Sequence, residues 1–254
     1  EYDLGMLGMH GFYHANMAAH ETDLILNLGS RFDDRIVGRY DVFGENAKIV
    51  HVDIDRSELN KVVTSDLAVH ADVKIFVEAL LKRVQKLQID SWHERIRSWE
   101  SEKPYEPSPG EFTVRDCYSA LMAEIAKNPD QYIVVSDVGQ HQMWAAQYFQ
   151  FEEPNRWMTS GGLGTMGYGL PAAVGAQIAH PESLVVDISG EASFLMNMQE
   201  LGTMAQYRLP VKVFILNNEW MGMVRQWQEL IHGGRYSETY SEGLPDFVKL
   251  AECF

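Results

Sequence analysis

A chain of 254 residues, 46% hydrophobic with six tryptophans, is long enough for one large or two ordinary domains with a sizeable core. Its formal net charge of −15 at pH 7 argues against nucleic acid and anionic membrane surfaces as partners, because both reward Lys and Arg. No apolar run reaches the ~18–20 residues of a membrane span, while Cys117 and Cys253 form no disulfide framework and point to a reducing compartment.

In chain order, Glu1 to Gly11 reads as the middle of a domain, so a fragment is expected. The pair His10 and His14 has the spacing of a helical zinc site, but no Glu follows the first histidine and Gly11 weakens a helix there. Leu24 to Leu28 is a short strand ended by Gly29. The block Arg31-Phe32-Asp33-Asp34-Arg35 has the composition of a surface ion-pair cluster, usually worth little. Lys48 to Asp55 is a second strand with acidic residues at its carboxyl end. Asp72 caps a helix whose apolar positions Val73, Phe76, Val77, Leu80, Leu81, Val84 and Leu87 recur at three and four. Asp90 to Lys103 reads as a charged surface helix, and Pro104, Pro107, Pro109 and Gly110 mark the best linker.

Thr113 is an N-cap candidate for a helix over Val114 to Lys127. Four strand–loop–helix steps follow. Ile133 to Ser136 leads into Asp137 to His141, and Arg156 to Met158 into the Gly-rich Thr159 to Gly169. Leu184 to Ile188 leads into Ser189 to Ser193, and Val211 to Leu216 into Asn217-Asn218. Pro245 to Phe254 reads as a helix. Alternating strands and helices give an α/β class with two doubly wound parallel-sheet units. The boundaries expected are 1–88 for the first unit, 89–112 for a helix and linker, and 113–254 for the second. In such sheets the loops gather at the carboxyl ends of the strands, where ligands bind.

The chemistry concentrates in Gly190-Glu191-Ala192-Ser193 and Asn217-Asn218. A strand ends, glycine permits the turn, a carboxylate follows, and small residues open a helix over Phe194 to Tyr207 whose amides can meet an anion. One helix and one strand separate Glu191 from Asn218, which sets them on adjacent strand ends. One carboxylate, one amide oxygen and one nearby carbonyl suit a hard cation such as Mg²⁺ holding a diphosphate. The competing reading is an ordinary turn with a helix-dipole carboxylate. Gly161 to Pro171 is neither a P-loop nor a dinucleotide fingerprint, and glycines alone more often serve packing.

Gly190-Glu191 followed by Asn217-Asn218 resembles the thiamin-diphosphate motif. With Val138 to Trp144, Gly162 to Gly169, Gly222 to Trp227, Leu7 to Gly11 and Gly29 to Arg35, the chain resembles, nearly end to end, the catalytic subunits of the acetohydroxyacid synthase (acetolactate synthase) family. The resemblance implies a flavin-binding central domain before a diphosphate-binding thiamin domain. It assigns Mg²⁺ to Glu191, the Asn218 side chain and the Trp220 carbonyl. Thiamin diphosphate falls to Val138, Gly139, Gln140, His141, Gly164, Met166, Gly190, Ala192, Ser193, Asn218, Met221, Gly222, Met223 and Val224, with Met166 bending the cofactor. The substrate channel falls to Met223 and Trp227, although Trp227 could also be plain core. FAD, structural rather than redox-active, falls to Leu7, Gly8, Met9, His10, Gly29, Arg31, Asp33, Arg35, Ile36, Asp53, Ile54, Asp72 and Val73.

The implied reaction is decarboxylation of pyruvate and its carboligation to a second 2-oxo acid, pyruvate or 2-oxobutyrate, toward branched-chain amino acids. The family also implies a homodimer or tetramer and a small regulatory subunit; no signal or transit segment is visible in the sequence, and a cytoplasmic location is expected. Two features depart from it. Many relatives have Asp where this chain has Glu191 and Ser189, and no residue here takes the role of the glutamate that activates the aminopyrimidine. That residue belongs to a domain preceding the matched stretch, so the chain is expected to be inactive alone. The alternatives are another thiamin-diphosphate decarboxylase or lyase, and a folded fragment without catalysis.

Overall fold

The computed structural model describes residues 3–103, 112–127, 131–149, 151 and 153–254. The chain divides into two units, residues 1–106 and 107–254. The Pro-rich linker expected around Pro104 to Gly110 lies outside the described residues.

The first unit runs α1 (Tyr13–Glu21), β1 (Leu24–Leu28), α2 (Asp34–Val37), β2 (Lys48–Asp53), β3 (Leu67–His70), α3 (Val73–Leu81) and α4 (Asp90–Glu102). Its strands form a parallel sheet in the order β1-β2-β3. Phe32, Val37, Ile49 and Val63 make its core, with Ile25 and Phe43 packed against them. β2 stops at Asp53, short of the expected Asp55, because the Asp53 carboxylate accepts the Asp55 N–H at 2.7 Å and turns the chain. Asp72 caps α3 as expected, accepting from the N–H groups of Lys74 and Ile75. The helix ends at Leu81 rather than continuing to Leu87. Val84 and Leu87, beyond its end, are exposed.

The second unit runs α5 (Val114–Ile125), β4 (Tyr132–Ser136), α6 (Gln140–Tyr148), β5 (Trp157–Thr159), α7 (Gly169–Ala179), β6 (Leu184–Gly190), α8 (Glu191–Met196), α9 (Glu200–Tyr207), β7 (Lys212–Leu216), α10 (Gly222–Leu230) and α11 (Phe247–Glu252). Thr113 and Asp116 close a capping box at α5. The sheet is parallel in the order β5-β4-β6-β7. On one face Val134, Val186 and Ile188 meet Tyr118, Ile125, Ala145 and Phe149 from α5, α6 and the residue after α6. On the other, Ile133, Val135 and Val185 meet Ala173 and Ala176 of α7. Helices on both faces bury the strands twice, which is why they read as continuous apolar runs.

One expected helix is two. Phe194 to Tyr207 breaks at Asn197, and α8 begins earlier, at Glu191. The Asn197 side chain donates to the Gly167 carbonyl at 2.6 Å and accepts from Gln199 at 2.9 Å. It thereby leaves the helix to bind the Gly-rich loop.

Candidate functional site

β6 and β7 pair in register, Gly190 opposite Leu216. Glu191 and Asn217-Asn218 therefore emerge side by side at the carboxyl edge of the sheet. Glu191 is buried, at 1% exposure, and its Oε1 has no hydrogen-bond partner among the described residues. Burial raises its carboxyl pKa, while the backbone N–H groups of Glu191, Asn218 and Trp220 pull it down and the Glu219 charge pushes it up. The carboxylate thus faces the Asn218–Trp220 turn. Asn218 Oδ1 accepts the Trp220 N–H at 3.0 Å, which leaves its second lone pair free. An orphaned buried carboxylate oxygen beside an amide oxygen and a backbone turn fits a hard cation. Among the described residues no cluster of three His, Cys, Asp or Glu could hold a metal, so any cation here rests on mixed oxygen donors.

The β4–α6 loop reaches the same place. The His141 ring sits against Gly139 and Gly190, where an added Cβ would come within 2.7 Å and 2.9 Å of it respectively. The Gly190 N–H points to His141 Nε2 at 3.3 Å, so the acceptor nitrogen carries no proton. Burial lowers the His141 pKa from 6.5 to about 4, and the ring is neutral at pH 7. Ser193 Oγ donates to the Val138 carbonyl at 3.0 Å, joining this loop to α8. Gln140 Nε2 donates to Gln226 Oε1 at 3.1 Å, joining it to α10. Gly222 lies against the Gln140 side chain, and an added Cβ there would overlap the Gln140 Oε1. The structure therefore gathers Val138, Gly139, Gln140, His141, Gly190, Glu191, Ala192, Ser193, Asn218 and Gly222 around one strand edge. Gly164 lies beyond them at the outer limit of contact, its added Cβ 3.9 Å from Val138 Cγ1. Met166 follows it in the Gly-rich loop.

α10 carries Met223, Val224 and Trp227. Trp227 is 45% exposed, so the reading of Trp227 as plain core does not hold. Trp220 instead packs, its ring 4.1 Å from the Arg225 guanidinium and 5.0 Å from the Tyr240 ring. The segment after α10 folds back on it: Met221 N–H donates to the Thr239 carbonyl and Ser241 N–H to the Glu219 carbonyl.

In the first unit the residues expected at flavin form two groups. Leu7, Gly8, Met9 and His10 meet Arg35 and Ile36, with the Met9 N–H on the Arg35 carbonyl at 2.7 Å. Leu7 and Ile36 also line a cavity of about 160 Å³, less than a whole dinucleotide needs. Gly29, Asp53, Ile54, Asp72 and Val73 gather at the carboxyl ends of β1 and β2: the Gly29 N–H donates to the Val52 carbonyl, the Ala71 N–H to the Asp53 carbonyl, and an added Cβ on Gly29 would lie 3.5 Å from Val73. Asp33 caps α2 through the Arg35 N–H and lies 3.9 Å from Arg31. His14 Nε2 lies 3.1 Å from the Leu4 carbonyl, and α1 begins at Tyr13, so His10 and His14 do not share the helix that the zinc spacing requires.

Two buried residues, Asp137 and Asp187, and the half-buried Asn197 escaped the reading of the sequence. Asp187 carried a signal, a carboxylate inside the apolar run Leu184 to Ile188. Asp137 carried another, following an apolar strand directly. Asn197 carried none.

Comparison with known proteins bears on the family of the chain. Residues 1–80 match the central domain, and residues 137–254 the C-terminal TPP binding domain, of thiamine pyrophosphate enzymes. The acetolactate synthase large subunit of Porphyra purpurea is 49% identical over all of this chain and 44% of its own length. That of Haemophilus influenzae is 44% identical over 99% of the chain and 45% of its length. The isozyme 3 large subunit of Escherichia coli gives the same figures. The chain thus spans less than half the length of the relatives it matches.

Proposed function

Because this chain belongs to the thiamine pyrophosphate enzymes and carries their central and C-terminal domains, we propose that it is part of an acetolactate synthase catalytic subunit, a transferase. Its reaction joins decarboxylated pyruvate to a second 2-oxo acid, pyruvate or 2-oxobutyrate. The observation that carries this reading is the buried Glu191 Oε1 without a partner, turned toward Asn218 and Trp220 at the strand edge that β6 and β7 share. Glu191, the Asn218 side chain and the Trp220 carbonyl would hold Mg²⁺, and Gln140, His141, Ala192 and Ser193 the diphosphate.

Thiamin diphosphate, when bound, supplies stabilisation of the carbanion that decarboxylation leaves. The chain's own residues bind and orient. His141, neutral and wedged between two glycines, presents a ring of fixed tautomer to the diphosphate edge. Met166 would support the cofactor's middle when it is bound, and Met223 and Trp227 would border the substrate's approach and limit water there. The carboxylate that activates the aminopyrimidine comes from outside these residues, so the chain alone turns over no pyruvate. The two first-unit groups, around Leu7 to His10 with Arg35 and Ile36 and around Gly29, Asp53 and Asp72, would hold FAD in a structural role. A homodimer or tetramer with a small regulatory subunit, in the cytoplasm, completes the proposal. Among the described residues no helix is long and apolar enough to cross a membrane.

The test is 2-acetolactate formation from pyruvate by the intact subunit that contains this chain. Activity should require both thiamin diphosphate and Mg²⁺ and fall with Glu191→Gln. Full activity after removal of either cofactor overturns the assignment.

A further inference from the structure

Asp137 lies one residue beyond β4, and its N–H continues the ladder to the Ile188 carbonyl at 2.9 Å. Val135 is opposite Asp187 in that ladder. Two residues on, Asp137 points to the same face, so the two acids are diagonal neighbours under the start of α7. Both are fully buried. The Asp137 carboxylate accepts three backbone N–H groups: Oδ1 takes Val138 at 2.6 Å and Gly167 at 2.9 Å, and Oδ2 takes Gly169 at 2.9 Å. Asn197 holds the same loop from the other side through the Gly167 carbonyl. Asp187 receives Ser189 Oγ at 2.8 Å and blocks the space beside Gly169.

We propose that Asp137 is a positioning residue: its carboxylate fixes the Gly164–Gly169 loop, and with it Met166, against the Val138–His141 loop. This rests on the reading of that edge as a thiamin-diphosphate site. One side chain thereby sets the spacing between the part that takes the cofactor's diphosphate and the part that bends its middle. Gly164 and Gly167 have φ of 74° and 84°, a region open to glycine, so the loop's own backbone preferences are weak and external tethers decide where Met166 stands. An amide in place of the carboxylate keeps one acceptor oxygen only. In the rotamer that retains Val138 and Gly167, the Gly169 N–H meets an NH₂ group and its tether is lost.

The experiment compares the intact subunit, freed of cofactor and metal by chelation and dialysis, with its Asp137→Asn variant, titrating thiamin diphosphate and, separately, inorganic pyrophosphate, each with Mg²⁺, by tryptophan fluorescence. Thiamin diphosphate should bind about 10- to 100-fold more weakly to the variant, with pyrophosphate affinity unchanged within about threefold. Unchanged affinity for both ligands overturns the proposal, and so does an equal loss for both, which assigns Asp137 to the diphosphate loop alone. If Asp137→Asn does not fold, Asn197→Ala decides: the same selective loss supports the loop tether, and no selective loss refutes it. A wild-type protein that binds neither ligand refutes the underlying site instead, so the two failures are distinguishable.

Discussion

Gly169→Ala should damage the second unit more than any exposed glycine substitution. Gly169 opens α7, and an added Cβ would collide with Asp187 Oδ1 while standing 2.9 Å from Asp137 Cβ and 3.0 Å from its backbone N. The neighbours cannot give easily, because both acids are fully buried and the Gly169 N–H is tied to Asp137 at 2.9 Å. Overpacking costs about 1–3 kcal/mol, and losing a hydrogen bond to a charged acceptor about 1.5–3 kcal/mol. Alanine's better helix propensity returns about 1 kcal/mol. The net loss is about 1.5–5 kcal/mol, or on the order of 10 °C in Tm for a unit of this size. Urea unfolding followed by tryptophan fluorescence measures it. Gly175→Ala, in the same helix with nothing within 4 Å of its added Cβ, is the control and should gain about 0.5–1 kcal/mol. A loss under 1 kcal/mol for Gly169→Ala would refute the account of the packing beneath the loop.

Gly190→Ala should displace the His141 ring, since its Cβ would stand 2.9 Å from Nδ1; a crystal structure showing the ring unmoved speaks against the wedge. The pH dependence of stability should change with Asp187→Asn. Burial raises the Asp187 carboxyl from 3.8 to about 7, so the unfolded chain loses that proton first and stability falls as pH rises from about 4 through 7. His141, lowered from 6.5 to about 4, works in the opposite sense: its contribution is complete above 6.5 and is lost as pH falls toward 4. Asp187→Asn removes only the first slope, so relative to wild type the variant should gain about 4 kcal/mol between pH 4 and 7; parallel urea profiles contradict this. Trp227→Ala, at an exposed position, should leave the unfolding midpoint within about 0.5 kcal/mol while changing the KM for pyruvate of the intact enzyme; a large stability loss would restore Trp227 to the core.

The strands of the second unit were legible because parallel strands buried on both faces concentrate Val and Ile into short runs. The adjacency of Glu191 and Asn218 was legible for a related reason: one helical segment and one strand fit between them, and sequential strands commonly pair. β3 was not legible. Its four residues Leu67 to His70 have little burial contrast, and only pairing with β2 makes them a strand. The break at Asn197 was hidden because its partner, the Gly167 carbonyl, lies 30 residues away. The same separation hid Asp137, whose loop tether begins at the Gly167 N–H. Propensity and periodicity report on neighbours within a turn or two, and these tethers are tertiary. Trp227 stands seven residues from Trp220, a spacing that fits a shared helical core face, yet Trp227 is exposed because the turn before α10 puts Trp220 in an aromatic cluster of its own.

The most direct test of the central claim is calorimetric titration of the protein with thiamin diphosphate, in Mg²⁺ and after its removal by chelation. Binding should require the cation and disappear in Glu191→Gln, whose amide still fills the pocket but brings no charge to the metal. Equal affinity with and without Mg²⁺, or an unaffected Glu191→Gln variant, contradicts a diphosphate held by metal between Glu191 and Asn218.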